Sequence, residues 1–275
     1  MRKYITEDLK NEIREFYRSK PMTYAILGKK YNLSTPTIIK ILKGVIKWEK
    51  HIVHNPNIKE DYFETIDTEV KAYFIGLMIA DGNIFQPKDG RSMSTSISLT
   101  KEDKYILEKF REELGVYNIV ANDGRGCCYM AVRSNKIAQD LSRYGLVPKK
   151  TCLSYLPQNI PSKLMKHLVR GLLDGDGNLY IKPHKGKFIH RVSFCGTERL
   201  MSELSDYLSS NLNLRTKPKV YVYKDRNLSE FKIQNYEDVT KFLHWIYDDA
   251  TIFLRRKKEK SDFYFQYLSN TLIPR

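Results

Sequence analysis

One thirteen-residue pattern occurs twice in this chain. Tyr73–Phe85 reads YFIGLMIADGNIF and Leu168–Tyr180 reads LVRGLLDGDGNLY. The copies stand 95 residues apart, and Gly76/Gly171, Leu77/Leu172, Asp81/Asp176, Gly82/Gly177 and Asn83/Asn178 coincide. A repeat of that period makes each copy the start of a structural unit that packs on its twin. The flanks agree. After the first copy come an alternating stretch at Ser96–Leu99, a helical stretch over about Glu102–Leu114, and strand patterns at Val116–Val120 and Tyr129–Arg133. A helix from about Lys136 to Tyr144 follows. After the second come a strand at Lys187–Cys195, a helix at Glu198–Leu212, strands near Lys217–Tyr223 and Glu230–Ile233, and a helix through Val239–Tyr247. Turn signals fall at Pro87–Gly90, Asp123-Gly124 and Pro183–Gly186. The expected fold class is α+β, each half running helix, two strands, helix, two strands, helix. Polar–apolar alternation predicts sheets with one face packed on helices and one open.

The repeated motif carries its own chemistry. Gly76 and Ala80 share a helix face, as do Gly171 and Gly175. Small residues four apart let two helix backbones approach closely. If these helices pack together, their C-terminal ends bring Asp81 and Asp176 side by side, and Gly82 and Gly177 turn the chain into strands. Adjacent carboxylates repel, and each stands at the negative end of a helix dipole. A hard divalent cation resolves that conflict, and such an ion activates water and offsets phosphodiester charge. With a single copy, a plainer account in which the acids only cap helix ends would lead. Two copies in a strongly basic chain favour the metal site.

The charge balance is large. Lys+Arg number 47 against 32 Asp+Glu, a net +15 over 275 residues, which favours a polyanionic partner such as nucleic acid. Hydrophobic residues at 41% suffice for a real core, and the length fits two domains. No run approaches the ~18 apolar residues of a membrane span, and the N-terminal segment lacks the apolar core of a secretory signal. Cys127, Cys128, Cys152 and Cys195 match neither a disulfide framework nor a zinc site, so free thiols in a reducing, cytoplasmic setting are expected.

Residues 1–50 read as three short helices. Ile5, Leu9, Ile13, Phe16 and Tyr17 recur at helical spacing, and Pro21 closes that segment. A second helix covers about Met22–Tyr31, Asn32-Leu33-Ser34 makes a turn, and Pro36 suits the first turn of a third. The stretch TYAILGKKYNLSTPTIIKILK resembles the helix-turn-helix family, whose second helix reads DNA. The resemblance points to Thr35, Thr37, Lys40 and Lys43 as contacts to bases and phosphates. Residues 51–66 read as a linker. Its His51 and His54 lack a third ligand nearby and are not expected to bind metal.

FIGLMIADG and VRGLLDGDG, correctly spaced and continued by matching flanks, resemble the paired motifs of the LAGLIDADG homing endonucleases. The resemblance covers about residues 66–270, including Val147-Pro148-Lys149-Lys150 between the halves and the late segment YDDATIFLRRKKEK. It implies a monomer with two pseudo-symmetric αββαββα halves, at 67–150 and 151–275, forming a saddle over double-stranded DNA. It implies double-strand cleavage with Mg²⁺ or Mn²⁺. The metal ligands would be Asp81 and Asp176 with the carbonyls of Ala80 and Gly175. Basic residues near the acids would steady the water network, with Lys101 and Lys136 in the first half and Lys232 as a substitute in the second. The earlier motif acid, Ile79 in one copy and Asp174 in the other, would be structural.

On this resemblance DNA is read from the open sheet face. The first half supplies Asn83, Phe85, Arg91, Ser94, Ser96, Ser98, Arg125, Tyr129 and Arg133. The second supplies Asn178, Tyr180, Lys182, His184, Arg191, Ser193, Lys217, Lys219, Tyr221 and Tyr223. The run Arg255-Arg256-Lys257-Lys258 reads either as a solvated helix face or as a phosphate clamp. Two other activities fit the same architecture, a non-cleaving DNA-binding regulator and an intron maturase. Retention of both acids argues against the regulator. An intein is set aside, because Met1 and the last residues lack the splicing groups.

Overall fold

The computed structural model describes residues 5–20, 22–42, 58–116, 120–122, 126–148, 154–184 and 187–272. Packing divides the chain into two units, Met1–Lys59 with Arg111–Ile119, and Glu60–Phe110 with Val120–Arg275. No described helix is long and apolar enough to cross a membrane.

The first unit holds α1 (Glu7–Ser19), α2 (Tyr24–Tyr31) and α3 (Thr35–Leu42). Thr6 and Thr23 cap α1 and α2, their hydroxyls accepting the Leu9 and Ile26 amides at 3.3 and 3.4 Å. Ile13, Leu27, Ile38, Ile41 and Leu42 form the core. The turn between α2 and α3 is set by two residues. Asn32 takes a left-handed conformation, φ 51°, and the Leu33 amide donates to the Gly28 carbonyl at 2.8 Å. A Cβ on Gly28 would stand 2.6 Å from the Leu33 carbonyl oxygen, so only glycine admits this crossing. Thr35 and Lys40 are exposed on α3. Thr37 is less exposed than Thr35 and Lys40. It is half-buried, and its hydroxyl lies 2.8 Å from that of Ser34, closing the helix start. Lys43, His51 and His54 lie outside the described residues.

The second unit contains both repeats apart from the last residues of α5. The first runs α4 (Glu69–Asp81), β1 (Gly82–Phe85), β2 (Ser94–Thr100), α5 (Lys104–Leu114), β3 (Ala121–Asn122), β4 (Cys127–Arg133) and α6 (Asn135–Ser142). The second runs α7 (Met165–Asp176), β5 (Asn178–His184), β6 (Lys187–Gly196), α8 (Glu198–Asn211), β7 (Tyr221–Tyr223), β8 (Leu228–Ile233) and α9 (Tyr236–Tyr247), closed by α10 (Arg255–Leu272). Both sheets are antiparallel with one topology, β1-β2-β4-β3 and β5-β6-β8-β7. Two strand expectations need correction. Val116 and Val120 are buried outside any strand, and the short ladder lies at Ala121–Asn122. Lys217–Val220 also precedes the strand, because the Pro218 carbonyl accepts the Ser205 hydroxyl of α8 at 2.7 Å and proline has no amide for a ladder.

The seam is α4 against α7. Ala72–Ile79 are all buried, so α4 has no polar face along this stretch. A Cβ on Gly76 would run into the Leu168 carbonyl and stand 2.9 Å from the Leu172 amide nitrogen. A Cβ on Gly171 would run into the Tyr73 carbonyl and stand 2.7 Å from the Leu77 nitrogen. The two backbones touch across these glycines. One buried ion pair locks the far end of the seam. Arg170, fully buried in α7, donates to Glu69 at 2.5 Å and to the carbonyls of Ile246 and Ile252 at 2.7 and 2.8 Å. Glu69 in turn accepts from the Thr251 amide and hydroxyl at 2.7 and 2.8 Å. A buried guanidinium needs this full set of acceptors.

Candidate active site at the helix seam

Asp81 is the last residue of α4 and Asp176 the last of α7. The helices converge at these ends. A Cβ on Gly175 would meet the Ala80 side chain and stand 3.0 Å from Asp81 Oδ2. Glycine at 175 therefore makes room for the opposing carboxylate. Gly82 and Gly177 then lead into β1 and β5, but with φ of −79° and −87° rather than the left-handed turn expected of a glycine. Space is the reason for glycine there, since a Cβ on Gly177 would stand 2.7 Å from Leu173 Cα.

The neighbouring motif acid behaves differently. Asp174 is buried, accepts the Tyr73 hydroxyl at 2.9 Å and the Leu254 amide at 2.7 Å, and its pKa is pushed up to about 6 by burial. It ties α7 to α4 and to the start of α10. Its counterpart Ile79 fills the same kind of space with hydrocarbon.

Lys257 is the residue that sequence reasoning missed. In the run Arg255–Lys258, Arg255 and Arg256 stay exposed while Lys257 turns inward. Lys257 is buried, and its ammonium donates to the carbonyls of Leu173, Asp174 and Gly177, the last two at 2.7 Å. A cation thus sits on carbonyls at the α7 terminus, where the dipole favours it. Burial lowers its pKa to about 8, against the attraction of Asp174 and Asp81. The signal was present as a stripe. Leu254, Lys257, Ser261 and Tyr264 fall at helical spacing and are all buried. The other three cations also have partners. Arg255 stacks 4.3 Å over Tyr105, Arg256 pairs with Asp103 at 3.0 Å, and Lys258 pairs with Asp262.

The expected basic residues divide. Lys101 is exposed just past β2, at the end of the first sheet where Gly82 pairs with Ile97. Lys136 lies at the wrong end. β4 runs antiparallel to β2, so Arg133 pairs with Ser94 beside Phe85, and α6 begins there, away from Asp81. Its ammonium is held by Asp140 at 2.6 Å and Glu64 at 2.8 Å, which raises its pKa. Lys232 sits in the row Asn178–Ser193–Lys232 and pairs with Glu230 at 3.0 Å. The row nearer the acid holds Cys195, opposite Glu230, whose thiol donates to the Asp176 carbonyl at 3.2 Å.

Strand register places the expected DNA-reading residues. Asn83, Phe85, Ser94, Ser96, Ser98, Tyr129 and Arg133 alternate with buried Ile84, Ile97, Met130 and Val132, so they share the open face. Tyr180 and Lys182 flank the open face of β5, Arg191 and Ser193 stand opposite Tyr180 and Asn178, and Ser193 is itself buried. Tyr221 and Tyr223 are exposed on β7. Arg91 lies in the β1–β2 loop, paired with Asp89 at 2.6 Å. Lys217 and Lys219 lie before β7, and Lys217 pairs with Asp206 at 2.5 Å. Arg125 is outside the described residues, as is Cys152. Cys127, Cys128 and Cys195 are free thiols.

Solved structures share this fold. I-AabMI, a LAGLIDADG meganuclease bound to uncleaved DNA, matches with a TM-score of 0.53 at 16% identity, over 72% of this chain and 91% of the other. I-CpaMI, also bound to uncleaved DNA, matches at 0.55 and 14%, over 75% and 93%. This chain has the LAGLIDADG homing-endonuclease fold. I-SmaMI, solved with an uncleaved DNA target in the presence of calcium ions, matches at 0.52 and 12% identity, over 76% and 95%. No protein-family model and no curated protein matches the sequence. In LAGLIDADG terms, α4 and α7 are the motif helices, and Asp81 and Asp176 are their terminal acids.

The acid pair fits a divalent cation. Its donors are hard oxygens, two carboxylates at the negative poles of two helices with the Ala80 and Gly175 carbonyls one residue before them. The cradle exists because position 175 has no Cβ. Among the described residues no group of three His, Cys, Asp or Glu side chains is arranged to hold a metal, so protein carboxylates alone do not complete a coordination shell.

Proposed function

We propose that this chain is a site-specific DNA endonuclease that makes a divalent-metal-dependent double-strand break, with Mg²⁺ the working ion. The observation that carries this reading is the meeting of the α4 and α7 ends, Asp81 Oδ2 over Gly175, at the junction of two sheets with matching topology. Asp81, Asp176 and the carbonyls of Ala80 and Gly175 would hold the metal. When bound, a divalent ion there supplies Lewis acidity for water activation and offsets phosphodiester charge. The chain's own residues set the geometry. Lys257 and the Tyr73–Asp174 hydrogen bond fix the last turn of α7, so that Asp176 leaves the helix at a defined angle. The ammonium, on the Asp174 and Gly177 carbonyls, also offsets part of the negative potential at the α7 terminus. The open sheet faces follow the duplex on either side, and the net charge of +15 draws it in. A regulator that never cleaves has no use for two acids at two negative helix ends, which favours the nuclease.

The test is incubation with a library of long DNA duplexes, with Mg²⁺ and with EDTA in its place. Cuts on both strands at one long sequence, lost in EDTA, are expected. Tight binding without cuts at any site refutes the nuclease.

The first unit extends the contact. Its turn, set by Gly28 and Asn32, presents Thr35 and Lys40 on α3 as a recognition helix would. Tethering adds affinity without changing the saddle. Deleting residues 1–50 is expected to weaken DNA binding by ~10-fold or more and to shorten the protected footprint. A footprint of unchanged length removes this role.

A further inference from the structure

The two open sheet faces are chemically unequal. On the first, β2 presents the hydroxyl residues Ser94, Ser96, Ser98 and Thr100, and the described strands carry one cation, Arg133 at the end of β4. On the second, Lys182, Arg191 and Lys232 stand on three adjacent strands. The Arg191 guanidinium lies 5.3 Å over the ring of Tyr180, its cross-strand neighbour, and its Nε is buried with no hydrogen-bond partner. Arg191 also lines a cavity of about 540 Å³ at the outer corner of this sheet. Lys217, Lys219, Lys232, Tyr221 and Tyr223 line the same cavity. Its one carboxylate, Asp238, is engaged by the Arg215 amide at 3.0 Å. Four cations and two tyrosines line one concavity, Lys217 and Lys232 sharing their charge with Asp206 and Glu230, and Arg191 at its wall keeps a donor without a partner, which suits a phosphate oxygen with its sugar against an aromatic ring.

We propose that the second repeat is the anchoring half of this protein, its corner cavity seating a phosphate of the DNA backbone, while the serine-lined first repeat tracks the duplex with few ionic contacts. The proposal rests on the reading of the chain as a DNA-binding enzyme. It divides the work unequally. The second half supplies most of the salt-dependent affinity, and the first discriminates by short hydroxyl groups that donate or accept.

Phosphate contacts are independent of base sequence, so a 30-base-pair duplex of arbitrary sequence serves as the probe. The full chain is compared with two double variants of equal charge change, Arg191→Gln with Lys219→Gln, and Arg91→Gln with Arg133→Gln. Binding is measured from about 50 to 200 mM salt. Each lost phosphate contact lowers the slope of log K against log salt by about 0.9. The second-half variant is expected to lose about 1.8, so that its affinity falls about tenfold less than wild type over this range. The first-half variant is expected to lose less than half of that. Equal losses, or a larger loss from the first half, overturn the proposal while leaving the nuclease reading intact. A wild-type chain that shows no salt-dependent duplex binding overturns both.

Discussion

Asp81→Asn and Asp176→Asn are each expected to cut double-strand cleavage by on the order of 10²–10³-fold or more while leaving DNA binding within a few-fold of wild type. The amide keeps the shape of the carboxylate but loses the charge that holds a divalent ion. Each acid closes its own helix and opens its own strand, with no second acid in the adjacent motif position able to stand in. Asp174 cannot substitute for Asp176, because it is buried and already engaged by Tyr73 and Leu254. Removing a negative charge beside a phosphate backbone reduces repulsion, so affinity holds or improves. Single-turnover cleavage and gel-shift titration on the same duplex separate the two effects. Full cleavage by either variant eliminates the acid pair as the metal site.

Gly171→Ala is expected to lower stability by about 3 kcal/mol or more, a fall in Tm of about 10 °C, and Gly76→Ala by a similar amount. The added methyl groups meet the Tyr73 and Leu168 carbonyls, which belong to the backbone of the opposing helix and cannot rotate away. The helices must separate, and packing is lost along the buried stretch Ala72–Ile79. Gly196→Ala is the control. There the nearest atom is Met201 Cε at 3.1 Å, the tip of a flexible side chain, and the expected cost is under about 1 kcal/mol. Thermal unfolding followed by circular dichroism reads all three. A Gly171→Ala chain that melts with wild type would mean that the seam is looser than the backbone contact requires. The same variant should lose cleavage below its melting point, because the seam that carries the glycines also sets Asp81 against Gly175, next to Asp176.

Much of this was legible in the residues. The repeat exposed the duplication, and its glycines exposed the seam, because close backbone contact leaves a mark in residue type. Period-two alternation predicted the open faces, and β2 and β4 follow it residue by residue. Local pattern failed where a residue's partner is remote. Lys136 looked like a candidate near the acids until the antiparallel register carried it to the other end of the sheet. Thr37 is half-buried rather than fully exposed, its hydroxyl beside that of Ser34. Lys217–Val220 had the alternation of a strand, but the Pro218 carbonyl was taken by α8.

What the chain's order of residues determined alone is the pair of helices, their glycine faces and the aspartates at their ends, since these depend on spacing within a few turns of one helix. What only tertiary structure decided is the identity of the cation at the site and the fate of the motif's inner acid. Lys257 reaches α7 from more than eighty residues away, and Asp174 Oδ2 accepts from Tyr73 of the other repeat and Leu254 at the start of α10. A buried charge takes whichever partners the fold delivers to it. Desolvation forces that pairing, and no local pattern in the chain encodes it.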